Sequence, residues 1–77
     1  MMYYAVIGRN GVVITDTWER ARKEDKYLRH TTTHKFDTFE EAEDWILTMF
    51  ANWFPRADPP LSLKLNWAYY VKKNYVN

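Results

Sequence analysis

The sequence predicts a small α+β fold, a three-stranded antiparallel sheet with two helices in the order β-β-α-β-α, followed by a C-terminal extension. Three observations carry this. Two runs of β-branched and aromatic residues, Met2 to Gly8 and Val12 to Thr15, flank Arg9-Asn10-Gly11, and Asn-Gly between such runs is a strong hairpin signal. Further on, Thr38-Phe39-Glu40-Glu41 reads as a capping box. It heads a stripe of Ala42, Trp45, Ile46, Met49, Phe50 and Trp53 at helical spacing. Between hairpin and stripe lie a charged helical segment and a short β-branched run.

In the hairpin, Asn10 and Gly11 tolerate the positive φ of a type I′ turn. Along its first strand Tyr4 and Val6 share one face and Tyr3, Ala5 and Ile7 the other, which leaves one tyrosine buried and one available. Asp16 is placed to cap a helix running from Thr17 to Arg29, with Glu19 as the acidic partner of the cap. Opposite charges four apart at Glu19/Lys23, Arg20/Glu24 and Asp25/Arg29 support it by about 0.2–0.5 kcal/mol each. Its apolar stripe is thin, Trp18, Ala21, Asp25 and Leu28, so Trp18 and Leu28 are expected to seat it on the sheet. His30 to Phe36 is short and β-branched and reads as the third strand. The second helix, its first turn crowded with Glu40, Glu41, Glu43 and Asp44 where the helix dipole favours anions, ends near Trp53 because Pro55 cannot continue it.

A chain of 77 residues buries only about 60% of its unfolded surface, so a single domain is expected, residues 2–54 as its core and 55–77 as the extension. From Leu61 to Val71 apolar residues alternate with Ser62, Lys64, Asn66 and others, favouring a further strand. Asp58-Pro59 equally fits the start of a helix. Aromatic residues make up 18% of the chain: four Trp, six Tyr and four Phe. Met49, Phe50, Trp53, Phe54, Trp67, Tyr69 and Tyr70 offer more apolar surface than two short helices and a small sheet need. The tail therefore packs on the second helix, or its aromatics form an oligomer or partner surface.

No cysteine is present, which removes disulfides, thiolate zinc sites and a Cys nucleophile. No signal-like or membrane-length apolar stretch occurs, so a soluble cytoplasmic protein without membrane contact is expected. The formal charge of +1 conceals a segregation: residues 1–36 carry +3, residues 37–58 carry −5 and residues 59–77 carry +3. A molecule with one basic side is consistent with this, as is an ordinarily mixed surface.

Tyr3-Tyr4-Ala5-Val6, Gly8-Arg9, Gly11-Val12, Trp18, Lys35-Phe36-Asp37-Thr38, Glu41-Ala42 and Trp45 together resemble the amino-terminal domain of eukaryotic-type ribonuclease H, shared with the caulimovirus viroplasmin protein. The resemblance spans about residues 2–48. It implies the same β-β-α-β-α order and the binding of RNA/DNA hybrids or double-stranded RNA, with aromatic rings against sugars and lysines on phosphates. By position it assigns such roles to Tyr4, Trp18 and Lys35, and a structural role to Phe36. Where the family usually has an aromatic residue and two lysines before that Phe, this chain has Thr33, His34 and Lys35. The glycine-containing loop before the third strand is replaced by Lys26 to His30, without glycine.

The candidate nucleic-acid contacts are therefore Tyr4, Arg9, Trp18, Arg22, Arg29, His34 and Lys35, the cations for phosphates and the rings for stacking. Trp18 serves equally well as an anchor of its helix, and Tyr4 as a half-buried strand residue. His30 and His34, an even number apart on one strand, invite a metal reading with Asp37. Three or four converging ligands at a recognised spacing are lacking, so no metal is expected. The carboxylates from Glu40 to Asp44 are explained by their helix end. With two glycines and no triad or phosphate loop, neither catalysis nor a cofactor is expected. A non-catalytic nucleic-acid-binding module leads; the alternative is a protein-interaction or self-assembly module on the same fold, with a homo-oligomer formed through the C-terminal extension.

Overall fold

A computed structural model describes residues 2–71. Its elements are β1 (Tyr3–Gly8), β2 (Gly11–Thr15), α1 (Trp18–Tyr27), β3 (Thr32–Phe36), α2 (Phe39–Trp53) and β4 (Trp67–Tyr70). The expected α+β order holds through α2, and the sheet has four antiparallel strands rather than three, in the order β3-β1-β2-β4. Residues 72–77, the end of the expected extension, lie outside the described residues.

The two helices lie on opposite faces of the sheet. Ala5, Ile7, Val12 and Ile14 face Ala42, Ile46 and Phe50 of α2, and Ala57, Leu63 and Val71 close the same core. On the other face Val6 and Val13 meet Ala21 and Leu28 from the α1 side. Two-sided cover explains why β1 and β2 read as nearly unbroken apolar runs: with no solvent face, alternation has no purpose. Ala5, Val6, Ile7, Val12, Val13 and Ile14 are all fully buried, and each larger side chain among them contributes about 1.5–3 kcal/mol of transfer free energy. Tyr3 and Tyr4, expected to divide into one buried and one available, are both half-buried, one on each face.

The hairpin turn sits one residue earlier than expected. Gly8 pairs with Gly11, so Arg9 and Asn10 form the loop. Neither loop residue has positive φ, and neither does Gly11, so the type I′ expectation is corrected. Glycine is needed instead for close approach: a Cβ on Gly11 would lie 2.4 Å from the Tyr69 carbonyl oxygen, and one on Gly8 2.7 Å from Leu28 Cβ. The Asn10 side chain donates to Tyr27 O at 2.9 Å and accepts from Arg29 N–H at 3.0 Å, tying the turn to the end of α1.

Three further boundaries move. Thr17, not Asp16, caps α1, its hydroxyl accepting from Arg20 N–H at 3.3 Å. It is held there because its own N–H donates to Thr15 Oγ1. The helix stops at Tyr27 rather than Arg29, and Glu24 rather than Asp25 completes its inner face with Ala21. β3 begins at Thr32, because His30 turns the chain at φ 54° and lies off the strand. At α2 the Thr38 cap forms as expected, Glu41 N–H donating to Thr38 Oγ1 at 3.2 Å, but the Glu41 carboxylate takes the Thr38 hydroxyl, at 2.9 Å, where the capping box would have it take the Thr38 backbone N–H.

The extension does contain a strand, but β4 has four residues rather than eleven. Leu63 is buried and its N–H donates to Glu43 Oε2 at 3.1 Å, whereas Leu61 is fully exposed. A turn then breaks the alternation, with Trp67 N–H donating to Lys64 O at 3.1 Å and Asn66 at φ 61°, a conformation Asn tolerates better than most residues. Asn66 Oδ1 takes the hydroxyl proton of Thr15 and so pins the turn to β2. Trp67 and Tyr69 then fall on the α2 face, where Tyr69 packs edge-on to Phe50 at 5.6 Å. Much of the tail's aromatic surface is thus used within the chain.

Candidate functional site

Helix α1 packs over β1 and β2 and leaves the β3 side of that sheet face open. The uncovered corner is a hollow of about 440 Å³ lined by Tyr4, Trp18, Thr33, His34 and Lys35. Strand pairing builds it. Tyr4 sits opposite Lys35 and Val6 opposite Thr33, and cross-strand partners point to the same face. Trp18, the first residue of α1, leans its ring on Tyr4 at 5.5 Å and 54° while remaining 53% exposed. An anchor would be buried; α1 is anchored instead through Ala21, Leu28 and the inner side of Glu24. Lys35 and Thr33 are exposed.

Sequence reasoning thus named four of the five residues around this hollow. His34 contributes differently from the expectation. It borders the hollow, yet its ring stands on the α2 face against Phe36 at 4.7 Å and Trp45 at 5.6 Å. Phe36 is half-buried and packs against the α2-side core, as its structural role required. Arg22 is not in this hollow but in an adjoining one of about 340 Å³, lined also by Trp18, Glu19, Lys23 and Lys26. Lys23 and Lys26 escaped the sequence reading, although their spacing from Trp18 and Arg22 on one helix was the signal that could have found them.

Arg9 and Arg29 are brought together elsewhere. The Arg9 N–H donates to Arg29 O at 2.7 Å at the hairpin end of the sheet, and Arg9 lies five residue steps along the chain from Tyr4, about 17 Å. Near that end lies a third hollow, of about 360 Å³, between Asn10, Tyr27 and Tyr70. There the Tyr70 hydroxyl from β4 donates to both oxygens of Glu24, at 3.0 and 2.7 Å. Removal of this hydroxyl from water, reinforced by the Glu24 carboxylate, pushes the phenol from 10.0 up to about 12. Tyr70 is half exposed as a residue, but its hydroxyl rests on the carboxylate of Glu24, a residue only 8% exposed.

Among the described residues no three His, Cys, Asp or Glu side chains converge as metal ligands, and no helix is long and apolar enough to cross a membrane. Chemically, the main hollow combines two π-faces with a fixed positive charge, a pairing that suits a sugar or base edge next to a phosphate. The chain matches no family model, no curated protein and no solved structure.

Proposed function

We propose that this protein is a small non-catalytic nucleic-acid-binding module, with RNA/DNA hybrid or double-stranded RNA as its first candidate ligands. The observation that carries the reading is the half-exposed Trp18 ring seated on Tyr4, with Lys35 opposite Tyr4 on the adjacent strand. Exposing an indole on a small domain forgoes apolar burial worth about 25 cal/mol per Å², and aromatic stacking on a ligand recovers about 1–3 kcal/mol per base. The same three positions are those for which the ribonuclease H amino-terminal domain supplies contacts by resemblance. In this reading Tyr4 and Trp18 take sugars or bases and Lys35 takes a phosphate. His34, its ring committed to Phe36 and Trp45 on the other face, contributes to the rim of the hollow and not to the stacking surface.

Titration against hybrid, double-stranded RNA and DNA duplexes of equal length, at two salt concentrations, tests this. Salt-sensitive binding that favours the hybrid or RNA duplex is expected, weakened at least tenfold by Trp18→Ala with the circular dichroism spectrum unchanged. Absence of binding to all three at low salt sinks the proposal. A second reading then takes its place. Among the described residues the outer edge of β3 is unpaired, and Thr32 to Lys35 are exposed, which suits strand addition by a protein partner or a second copy.

A further inference from the structure

The two hollows on the α1 side share one wall, Trp18. We infer that the outer face of α1 is a phosphate-binding rail continuous with the Tyr4–Lys35 hollow. A nucleic-acid strand seated beside Trp18 crosses that ring and sets successive phosphates on Arg22, Lys23 and Lys26. The inference rests on the nucleic-acid reading above and adds the direction of the strand and the residues that follow it.

Helix geometry and the surroundings of the hollow support this path. Trp18, Arg22 and Lys26 recur every four residues and so form one stripe, with Lys23 flanking it. All three cations are exposed, and among the described residues none is engaged in a hydrogen bond or ion pair. The acidic residues of the same helix are largely diverted. Glu24 is buried against Tyr70, and Asp25 takes the Thr31 hydroxyl proton. Glu19 alone faces the three cations in their hollow. From Trp18 to Lys26 the helix rises about 12 Å, a length that along a duplex axis corresponds to about three to four phosphates of one strand.

The other ways out of the hollow are poorer. Towards Arg9 the sheet face is roofed by Ala21 and Leu28 over Val6 and Val13. Along β3 the strand would meet the exposed Thr33 and Thr32 and then the half-buried Thr31, which carry no charge. Towards α2 a strand would meet the exposed carboxylates of Glu40, Glu41 and Asp44.

The test is the salt dependence of affinity for an RNA/DNA hybrid duplex, measured for the full chain and for Arg22→Gln/Lys26→Gln. Glutamine keeps helix propensity close to that of Arg and Lys, so the fold should survive, which a thermal melt checks. Each phosphate contact contributes about 0.9 to the slope of log K on log salt, so the double variant should lose about 1.8 of it. Arg56→Gln, an equally exposed charge after α2, should leave the slope alone. If the wild type binds and the double variant keeps its slope, or if Arg56→Gln lowers it as much per charge, the rail is wrong and the module reading stands. Absence of wild-type binding removes both.

Discussion

The two helices are capped alike and employed differently. Each begins with a threonine whose hydroxyl accepts the N–H three residues on, Arg20 in α1 and Glu41 in α2. There the likeness ends. Helix α2, 15 residues long, buries Ala42, Ile46 and Phe50, surrounds them with half-buried Trp45, Met49 and Trp53, and carries four carboxylates and no cation. Helix α1, with 10 residues, buries Ala21 and Glu24 and leaves Trp18 and Tyr27 more than half exposed among four cations. One helix is held by its side chains. The other is held by a narrow inner side, Ala21 and Glu24 with Leu28 at its end, which leaves its remaining side chains on display. A domain this small manages both because its two central strands are covered on both faces, so that most of the core is made by β1, β2 and α2.

The largest expected effect separates these roles directly. Phe50→Ala should destabilise the fold by about 3–5 kcal/mol, a large part of the roughly 4–12 kcal/mol available to a domain of this length. Trp18→Ala, which removes a ring already half exposed, should cost clearly less than Phe50→Ala while weakening binding. Urea denaturation of both variants decides; equal losses would make Trp18 a core residue and abolish the contrast.

Next in size is the polar contact by which α1 holds the edge of the sheet. Tyr70→Phe leaves the Glu24 carboxylate short of its hydroxyl donor, at about 1–3 kcal/mol for a buried polar group left unsatisfied. The pH dependence has a definite sign. Folding raises the Tyr70 phenol from 10.0 to about 12, so its contribution is complete below pH 10 and is lost as pH rises towards 12. The stability difference between wild type and Tyr70→Phe should therefore shrink across that interval. A constant difference would show that the bond does not depend on the phenol proton.

The smallest effects come from the caps. Thr38→Ala and Thr17→Ala should each cost about 1 kcal/mol. Thr38→Ala should cost the more, because its hydroxyl also donates to Glu41. Thermal melts that reverse the order would place α1, not α2, at the centre of the fold's stability.

Local chemistry was legible in the sequence, and long-range partners were not. The Thr38 cap, the α2 stripe and the hairpin are written within a few residues of one another, and each was found. Glu24 was left off the inner stripe of α1 because its partner, Tyr70, is 46 residues away. The β4 boundaries were misjudged because alternation from Leu61 to Val71 conceals a turn at Asn66, whose side chain answers to Thr15. In the hollow, Tyr4 and Trp18 were legible as aromatics on short elements. That Tyr4, Trp18 and Lys35 meet depends on the pairing of β1 with β3 and on α1 stopping short of β3, which no local pattern records. Arg9 and Arg29 were grouped with them on charge alone, and the fold places them at the far end of the sheet.

The pairing of Tyr4 with Lys35 makes the composition of the hollow a matter of parity. Side chains of β3 alternate between two environments, Thr33 and Lys35 beside Trp18, His34 and Phe36 beside Trp45. A shift of β3 by one residue would exchange the two sets entire, driving an ammonium group against the α2 core and presenting a bare ring to solvent. An odd-numbered insertion within the strand therefore keeps the hollow only where a β-bulge absorbs the extra residue, whereas an even one preserves the alternation, so the hollow answers to register before it answers to composition.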